Sequence, residues 1–323
     1  MIITRTPLRV SFFGGGTDQD YFFKKYNGLV ISAAINKYVY VVVRKHSELY
    51  NINYRLNYSK SENVNYVNGI KNKIIKACIK FTKTKGPIYI STFSDLPDKS
   101  GLGSSSAFTV GLLNALYSFQ GKKINNFKLA QLAYIIETKI LNNPIGKQDQ
   151  YAAAVGGFNK INFYKNNKVS INKILFKKNI IKLFDRMSLV WTGLRRDNTK
   201  VLKNQKKNFN KNFNYLLIIK DIASEVFLKI KSINVKEFSF FLNKSWDEKK
   251  KLSKKILTKK ILEIEKKLKK NRNVSAIKLL GAGAGGFFLC LKDKKFDQKK
   301  FSYETVDFKI DFQGTKVLLS NKS

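Results

Sequence analysis

The stretch that most constrains this chain is a glycine turn at residues 97–107, which reads Pro-Asp-Lys-Ser-Gly-Leu-Gly-Ser-Ser-Ser-Ala. Gly101 and Gly103 leave the backbone bare, and an apolar run typical of a buried helix follows. Such a turn places free N–H groups and the positive end of a helix dipole together, where they attract anions. A hydroxyl beside the turn can also hold the metal of a nucleotide phosphate. The turn therefore indicates phosphoryl transfer, although helix capping alone would also account for it.

Composition indicates a globular protein. The chain has 323 residues, of which 43% are hydrophobic, enough for one large or two medium domains. It contains no apolar run near the ~18–20 residues of a membrane span, and its first residues do not follow a signal-peptide pattern. Cys78 and Cys290 lie far apart in apolar surroundings, so we expect buried thiols in a reducing compartment. We therefore expect a cytoplasmic protein without membrane contact.

The formal net charge of +40 is extreme. Its most direct explanation is nucleic acid binding through phosphate contacts. The positive charge, however, is spread over the whole chain and comes almost entirely from lysine, so we expect a solvated surface and no nucleic acid partner. A general positive field would still attract anionic substrates.

The scarcity of histidine and arginine narrows the chemistry that the chain can perform. The chain has one histidine, His46, for which we expect a surface position. Histidine-based triads and typical zinc sites are therefore excluded, and a general base must be Asp, Glu or Lys. Only eight of the 62 cationic side chains are arginine. These few arginines are therefore candidates for sites that need planar, bidentate contacts, which lysine cannot make.

Periodicity predicts alternating strands and helices in the first half and long amphipathic helices later. The predicted strands are 2–13, 29–45, 87–92, 158–164, 167–176 and 187–192, and the predicted helices are 65–83, 104–119, 126–141 and 147–155. Residues 197–270 favour two or three long helices, followed by a strand, a glycine turn and a strand from residue 277. The tail adds a helix and one or two strands. We predict two closely packed α+β lobes, 1–185 and 186–323.

Four segments carry a family resemblance in their order and spacing. They are Pro7-Leu-Arg-Val-Ser-Phe-Phe-Gly-Gly-Gly-Thr-Asp18, the glycine turn at 101–106, Glu137 with Pro144-Ile-Gly-Lys-Gln-Asp-Gln-Tyr151, and Gly281-Ala-Gly-Ala-Gly-Gly286. Together they resemble the GHMP kinase superfamily over nearly the whole chain. The resemblance implies a mixed-sheet N-terminal lobe that holds ATP on the phosphate loop and a ferredoxin-like C-terminal lobe.

Further phrases, Trp-Thr-Gly-Leu-Arg-Arg-Asp and Ser-Trp-Asp-Glu-Lys-Lys-Lys-Leu among them, are similar to D-glycero-D-manno-heptose 7-phosphate kinases. This resemblance implies transfer of the ATP γ-phosphate to the anomeric hydroxyl of the heptose 7-phosphate. The 1,7-bisphosphate product would serve nucleotide-activated heptose synthesis. A fucokinase-like enzyme for an unphosphorylated sugar is the main alternative. A non-catalytic basic regulator on the same fold is the second, and we expect a monomer or homodimer.

The resemblance also assigns roles by motif position. Asp149 would accept the hydroxyl proton and Arg9 would offset developing charge, which makes them the catalytic pair. Ser105 and Glu137 would be the ligands of Mg²⁺. The nucleotide phosphates would contact the loop residues Pro97, Lys99, Gly101, Leu102, Gly103, Ser104, Ser105 and Ser106.

The expected sugar site is built around Asp18, which would accept hydrogen bonds from sugar hydroxyls. The other residues assigned to it are Gly14, Gly15, Gly16, Thr17, Lys147, Arg195, Arg196, Gly281 and Gly283. Galactokinases have Gly-Glu-His before Thr-Asp, where this chain has three glycines. We therefore expect the triple glycine, helped by Arg195 or Arg196, to accommodate the remote phosphate of the sugar.

Overall fold

A computed structural model describes residues 1–175, 177–195, 199–293 and 303–321. Its larger sheet has eight strands, in the order β12-β1-β2-β5-β3-β4, with β6 paired to β2 and β7 to β6. These strands are β1 (Ile2–Phe13), β2 (Gly28–Lys45), β3 (Tyr54–Asn57), β4 (Ser61–Val64), β5 (Ile88–Ser94), β6 (Phe158–Phe163), β7 (Val169–Lys173) and β12 (Lys316–Ser320). All pairs are antiparallel except β3 with β5, so the sheet is mixed, as predicted.

Strand β1 is the central element of the site. It is buried without interruption from Thr6 to Phe13, although polar residues interrupt its apolar ones. A strand with both faces covered does not show the simple alternation of a half-exposed strand. Arg9, paired in register with Ala34 of β2, is thereby held in the interior.

Six α-helices precede Met187 in the described part of the chain. They are α1 (Asp20–Tyr26), α2 (Lys73–Thr82), α3 (Ser104–Phe119), α4 (Asn126–Ile135), α5 (Gln148–Val155) and α6 (Lys178–Phe184), and α4 continues into a π-helical turn, Ile136–Ile140. Of these, α3 and α5 pack directly on the larger sheet, and α2 and α4 pack against other helices. Short 3₁₀ turns occur at Glu48–Tyr50 and Val67–Gly69. The predicted helix at 65–83 begins only at Lys73, because the Asn72 side chain caps it by accepting from the Ile75 N–H.

The smaller sheet has four antiparallel strands in the order β11-β8-β10-β9. They are β8 (Met187–Trp191), β9 (Val274–Leu279), β10 (Phe287–Lys292) and β11 (Thr305–Asp307). Their chain order is fourth, first, third, second, which confirms the ferredoxin-like prediction. Four helices are described in the segment where two or three were expected, namely α7 (Thr199–Lys207), α8 (Phe209–Lys229), α9 (Val235–Lys251) and α10 (Lys259–Lys270). The helix predicted for the tail falls largely outside the described residues.

The two sheets share one core. Phe12 of β1 packs edge-on against Phe184 of α6 and Phe238 of α9, with ring centroids 5.6 and 6.1 Å apart. Strand β12 then returns from the C-terminal region to pair with β1. Strand β12 therefore completes the sheet of the first lobe, although it follows the predicted division at 185/186 in the chain.

Three single-residue expectations can be compared with the structure. Cys78 and Cys290 are buried free thiols, as predicted. The surface position expected for His46 is wrong, because its exposure is only 7% and its ring packs beside Tyr50. Within the described ranges, no helix combines the length and apolar character needed to cross a bilayer.

Candidate active site

A cavity of about 320 Å³ opens between the two lobes. Its floor comes from β1 and the loops before α3 and α5, and its opposite wall comes from α7, α8, α9 and β9. Its polar and charged lining residues are Arg9, Ser11, Asp18, Gln19, Lys99, Ser104, Ser105, Ser106, Glu137, Asn143, Gln148, Asp149, Thr199, Gln205, Ser245, Lys249 and Lys278. The mixture of polar and apolar lining suits a polar small molecule.

Arg9 and Asp149 form a bidentate ion pair on the cavity floor. Arg9 Nε donates to Asp149 Oδ1 and Nη2 donates to Oδ2, both at 2.8 Å. Arg9 Nη1 donates to the Gly101 carbonyl at 2.7 Å, which fixes the guanidinium to the glycine turn. The Arg9 side chain is 5% exposed and that of Asp149 25%, so the carboxylate is the partner that faces the cavity. Such planar two-bond geometry is specific to arginine.

The glycine turn touches this ion pair directly. Gly101 and Gly103 have φ values of 82° and 74°, in the left-handed region that favours glycine. A Cβ on Gly103 would lie 3.3 Å from Arg9 Cγ and Asp149 Oδ2. Helix α3 begins at the next residue, so the anion-attracting end of a helix lies beside the carboxylate of Asp149.

Ser105 and Glu137 meet at the next position along the cavity. Ser105 Oγ donates to Glu137 Oε1 at 3.2 Å, and Gln150 Nε2 donates to Oε2 at 2.6 Å. Glu137 lies in the π-helical turn and is fully buried, which raises its pKa to about 7. Among the described residues no cationic side chain lies within hydrogen-bond distance of this carboxylate, which together with the Ser105 hydroxyl offers hard oxygen donors suited to Mg²⁺. The described residues contain no group of three metal-ligating side chains, so phosphates and water would supply the other ligands.

The Asp18 carboxylate is held in place by hydrogen-bond donors from two segments. Gly16 N–H and Gln148 Nε2 donate to Oδ1 at 3.0 and 3.1 Å, and Gln148 N–H donates to Oδ2 at 3.1 Å. Burial, together with the charge of Asp149, raises the pKa of Asp18 to about 6. Nearby, Ser11 Oγ and Gln148 Oε1 are buried without a hydrogen-bond partner in the described structure. These groups form a polar corner that can bind the hydroxyls of an acceptor.

Two lysines from the C-terminal lobe complete the cavity. Lys249 Nζ donates to the carbonyls of Leu279 and Gly281, at 2.7 and 2.5 Å. Lys278 Nζ donates to the Phe12 carbonyl and, at 3.2 Å, to Ser245 Oγ. Burial and the nearby Arg9 lower the pKa of Lys278 to about 7, and burial with the charge of Lys278 lowers the pKa of Lys249 strongly.

Several predicted site residues lie away from the cavity. Gly14 lies against the Leu29 carbonyl, since a Cβ on Gly14 would be only 1.9 Å from that oxygen. Thr17 is buried, and its hydroxyl donates to the same carbonyl. Lys147 Nζ lies over the Phe23 ring and donates to Asn167. The remaining predicted positions outside the lining are Pro97, Leu102, which is fully buried, and Gly283, which packs against Ile256.

The site expected for a remote phosphate, the triple glycine with Arg195 or Arg196, is described only in part. Arg195 is exposed and paired with Asp98 at 3.3 Å, outside the cavity, and Arg196 falls outside the described residues. The N–H of Gly16 is taken by Asp18, so the triple glycine does not present three free donors. Gly15 and Gly16 do line the cavity, as do Lys99, Gly281 and the loop glycines 101 and 103.

Sequence reasoning did not assign a site role to Ser11, Gln148, Lys249 or Lys278. Ser11 and Gln148 lie inside the motif segments, immediately beside assigned residues. Lys249 lies in the Ser-Trp-Asp-Glu-Lys-Lys-Lys-Leu phrase, where only its contacts with the Leu279 and Gly281 carbonyls distinguish it from the lysines beside it. Lys278 follows a strand pattern in which a buried lysine cannot be told from a surface one.

Comparison with known proteins identifies the family. Residues 65–157 match the model of the GHMP kinases N terminal domain. The D-glycero-alpha-D-manno-heptose 7-phosphate kinase of Campylobacter jejuni is 31% identical, over 98% of this chain and 97% of its own. The chain belongs to the GHMP kinase family. This GHMP kinase is a sugar kinase, a phosphotransferase with an alcohol group as acceptor.

Solved structures agree with the fold of this GHMP kinase. A D-glycero-D-manno-heptose 1-phosphate kinase from Bacteroides thetaiotaomicron superposes with a TM-score of 0.81, at 23% identity and with all of both chains covered. The mevalonate kinase of Methanococcus jannaschii has a TM-score of 0.72 at 24% identity, covering 96% of this chain and 98% of its own. The two-lobed GHMP kinase fold is thereby confirmed.

Proposed function

We propose that the enzyme transfers the γ-phosphate of ATP to the anomeric hydroxyl of D-glycero-D-manno-heptose 7-phosphate, giving the 1,7-bisphosphate and ADP. The observation that carries this proposal is the position of Asp149. Its carboxylate lies between the glycine turn that begins α3 and the polar corner of Asp18 and Gln148. An acceptor hydroxyl held at that corner and a phosphate held at the turn would both be within reach of Asp149. The near-complete alignment with the C. jejuni heptose 7-phosphate kinase supports this choice of acceptor.

The chemistry is a direct displacement. The acceptor oxygen forms a bond to the γ-phosphorus while the bond from that phosphorus to the ADP oxygen breaks. The hydroxyl proton passes to Asp149, whose two oxygens are oriented by Arg9. The guanidinium also offsets negative charge that develops during transfer. No covalent enzyme intermediate is required.

The same cavity has a position for the metal of the nucleotide. Ser105 Oγ and Glu137 Oε1, 3.2 Å apart, would hold Mg²⁺, which when bound neutralises charge on the β- and γ-phosphates. Gln150 fixes the second oxygen of Glu137 and so orients the carboxylate. The first residues of α3, with Lys99 and Gly101, would contact the phosphates themselves.

A panel of acceptors tests the proposal. Purified protein with ATP and Mg²⁺ should release ADP rapidly with D-glycero-D-manno-heptose 7-phosphate. It should do so much more slowly with the unphosphorylated heptose, fucose and galactose. Phosphorus NMR of the product should show a new anomeric phosphate beside the original one. Turnover restricted to free sugars would favour the fucokinase-like alternative. An absence of turnover on the whole panel, with salt-sensitive DNA binding, would favour the basic regulator.

A further inference from the structure

Lys249 and Lys278 place two amino groups in the cavity, and no carboxylate in the described part of the chain lies within ion-pair distance of either. Lys249 donates to two backbone carbonyls and lies over the Trp246 ring, and Lys278 donates to one carbonyl and one hydroxyl and lies over the Phe13 ring. Neither forms an ion pair with any residue that the structure describes, whereas Lys250, next in the chain after Lys249, pairs with both Asp247 and Glu265. A buried amino group that carries a proton normally has an acidic partner, so two that lack one among the described residues indicate a site for an anion, which would hold both in the ammonium form.

Geometry leaves each ammonium a donor for a ligand. An ammonium has three N–H groups, and each of these lysines spends two on the contacts described above. Both side chains line the cavity, although only 4% of Lys278 is exposed. The carbonyl oxygens that hold them fix their positions, so the donors are in place before a ligand binds.

The position of Lys278 connects this pair with the acceptor. Its amino group donates a hydrogen bond to the carbonyl of Phe12, the residue that follows Ser11. Ser11 Oγ in turn lies 3.5 Å from the position of a Cβ on Gly15, at the corner that holds Asp18. The nucleotide phosphates, by contrast, have donors of their own at the turn and at the start of α3.

We infer that Lys249 and Lys278 form a binding site for the phosphate of a phosphorylated acceptor, in place of the expected site at Arg195 and Arg196. A phosphate dianion would receive one hydrogen bond from each ammonium and neutralise both. The identity of the acceptor rests on the proposed function, whereas preference for a phosphomonoester over its neutral counterpart does not. The γ-phosphate of ATP is the other source of the same chemistry, and the two sources predict different results.

The test measures binding without turnover. Dissociation constants for D-glycero-D-manno-heptose 7-phosphate and for the unphosphorylated heptose would be measured by calorimetry in phosphate-free buffer without nucleotide. The proteins would be the wild type, Lys249→Gln and Lys278→Gln, because glutamine keeps a donor for the carbonyls but loses the charge. Lys244→Gln is the matched control, since this lysine lies on the same helix but is exposed.

We expect each cavity variant to bind the phosphorylated sugar roughly 10- to 100-fold more weakly, as for a lost hydrogen bond to a charged group. Binding of the neutral heptose and the KM for ATP should change less than threefold, and the control should match the wild type. Thermal unfolding shows whether each variant is folded.

Three results would overturn the inference. They are equal weakening of both sugars, a rise in the KM for ATP without a change in acceptor binding, and a wild type that does not prefer the phosphorylated sugar. A wild type without this preference can occur whether or not the protein releases ADP from ATP when the heptose 7-phosphate is the acceptor. Failure of this site is therefore distinct from failure of the proposed function, which the turnover assay measures.

Discussion

Arg9 and Asp149 are 140 positions apart in the chain, yet two parallel hydrogen bonds of 2.8 Å join them. A third bond, from the same guanidinium to the Gly101 carbonyl, ties this pair to the phosphate loop. One side chain thus sets the distance between the proposed base and the proposed phosphate site. Catalysis by positioning depends on such fixed distances.

Asp149→Asn should reduce kcat roughly 100- to 10,000-fold, because the amide cannot accept the hydroxyl proton. The KM for ATP should change little, since Asp149 does not belong to the phosphate loop. Steady-state ADP release measures both constants. Asp221→Asn, at an exposed position on α8, is the matched control. A kcat within threefold of the wild type would exclude Asp149 as the base.

Gly15→Glu should raise the KM for the acceptor at least tenfold without a comparable change for ATP. Gly15 does not have a left-handed φ, and its Cα faces Ser11 and Gln148 at contact distance, so a side chain there enters the acceptor corner. Gly15→Ala is the control, because a single methyl group fits at 3.5 Å. Equal effects on both substrates would show that Gly15 does not line an acceptor site.

Glu137→Gln should increase the Mg²⁺ concentration needed for half-maximal activity at least tenfold. The neutral amide keeps the shape of the side chain but is a poor ligand for a hard cation. A Mg²⁺ titration at saturating substrates measures this change. Glu225→Gln, on an exposed face of α8, serves as the control. An unchanged Mg²⁺ requirement would assign the metal to other groups.

Lys278 should make the native protein more stable as pH rises from 7 to 9. Burial lowers its pKa to about 7, whereas in the unfolded chain the ordinary value is about 10.4. Over this range the unfolded state therefore binds more protons, and the free energy of unfolding increases with pH.

Urea unfolding at pH 7, 8 and 9 measures this dependence. The wild type should gain up to ~1 kcal/mol per pH unit relative to Lys278→Met, which lacks the titrating group. Lys244→Met, at the exposed position on α9, should keep the slope of the wild type. Parallel pH profiles for the wild type and Lys278→Met would mean that Lys278 keeps its proton in the native state.

The fold was largely predictable because its signals are local. Apolar periodicity and glycine turns located most strands and helices. Boundaries set by single caps were harder, as the start of α2 at Asn72 shows. Strand β12 could not be assigned to the first sheet, since its partner β1 lies at the other end of the chain.

The candidate site likewise contains residues that the sequence predicts and residues that it does not. Asp18, Glu137 and Asp149 lie in motifs that the sequence displays, and the structure brings them to one cavity. Lys249 and Lys278 carry no such signal, because lysine dominates the composition and charge alone does not reveal burial. Arg195 was an expected phosphate ligand because arginine is rare here, yet it lies on the surface with Asp98.

The return of β12 to β1 has a consequence for how the chain matures. Before residues 316–320 dock, the strand that carries Arg9 has an open edge of unpaired backbone groups. Open edges are sites of aggregation. During synthesis residues 2–5 must therefore wait for β12, which follows all four strands of the smaller sheet in the chain. A fragment ending at residue 185 should consequently self-associate, although it contains the ion pair and the phosphate loop.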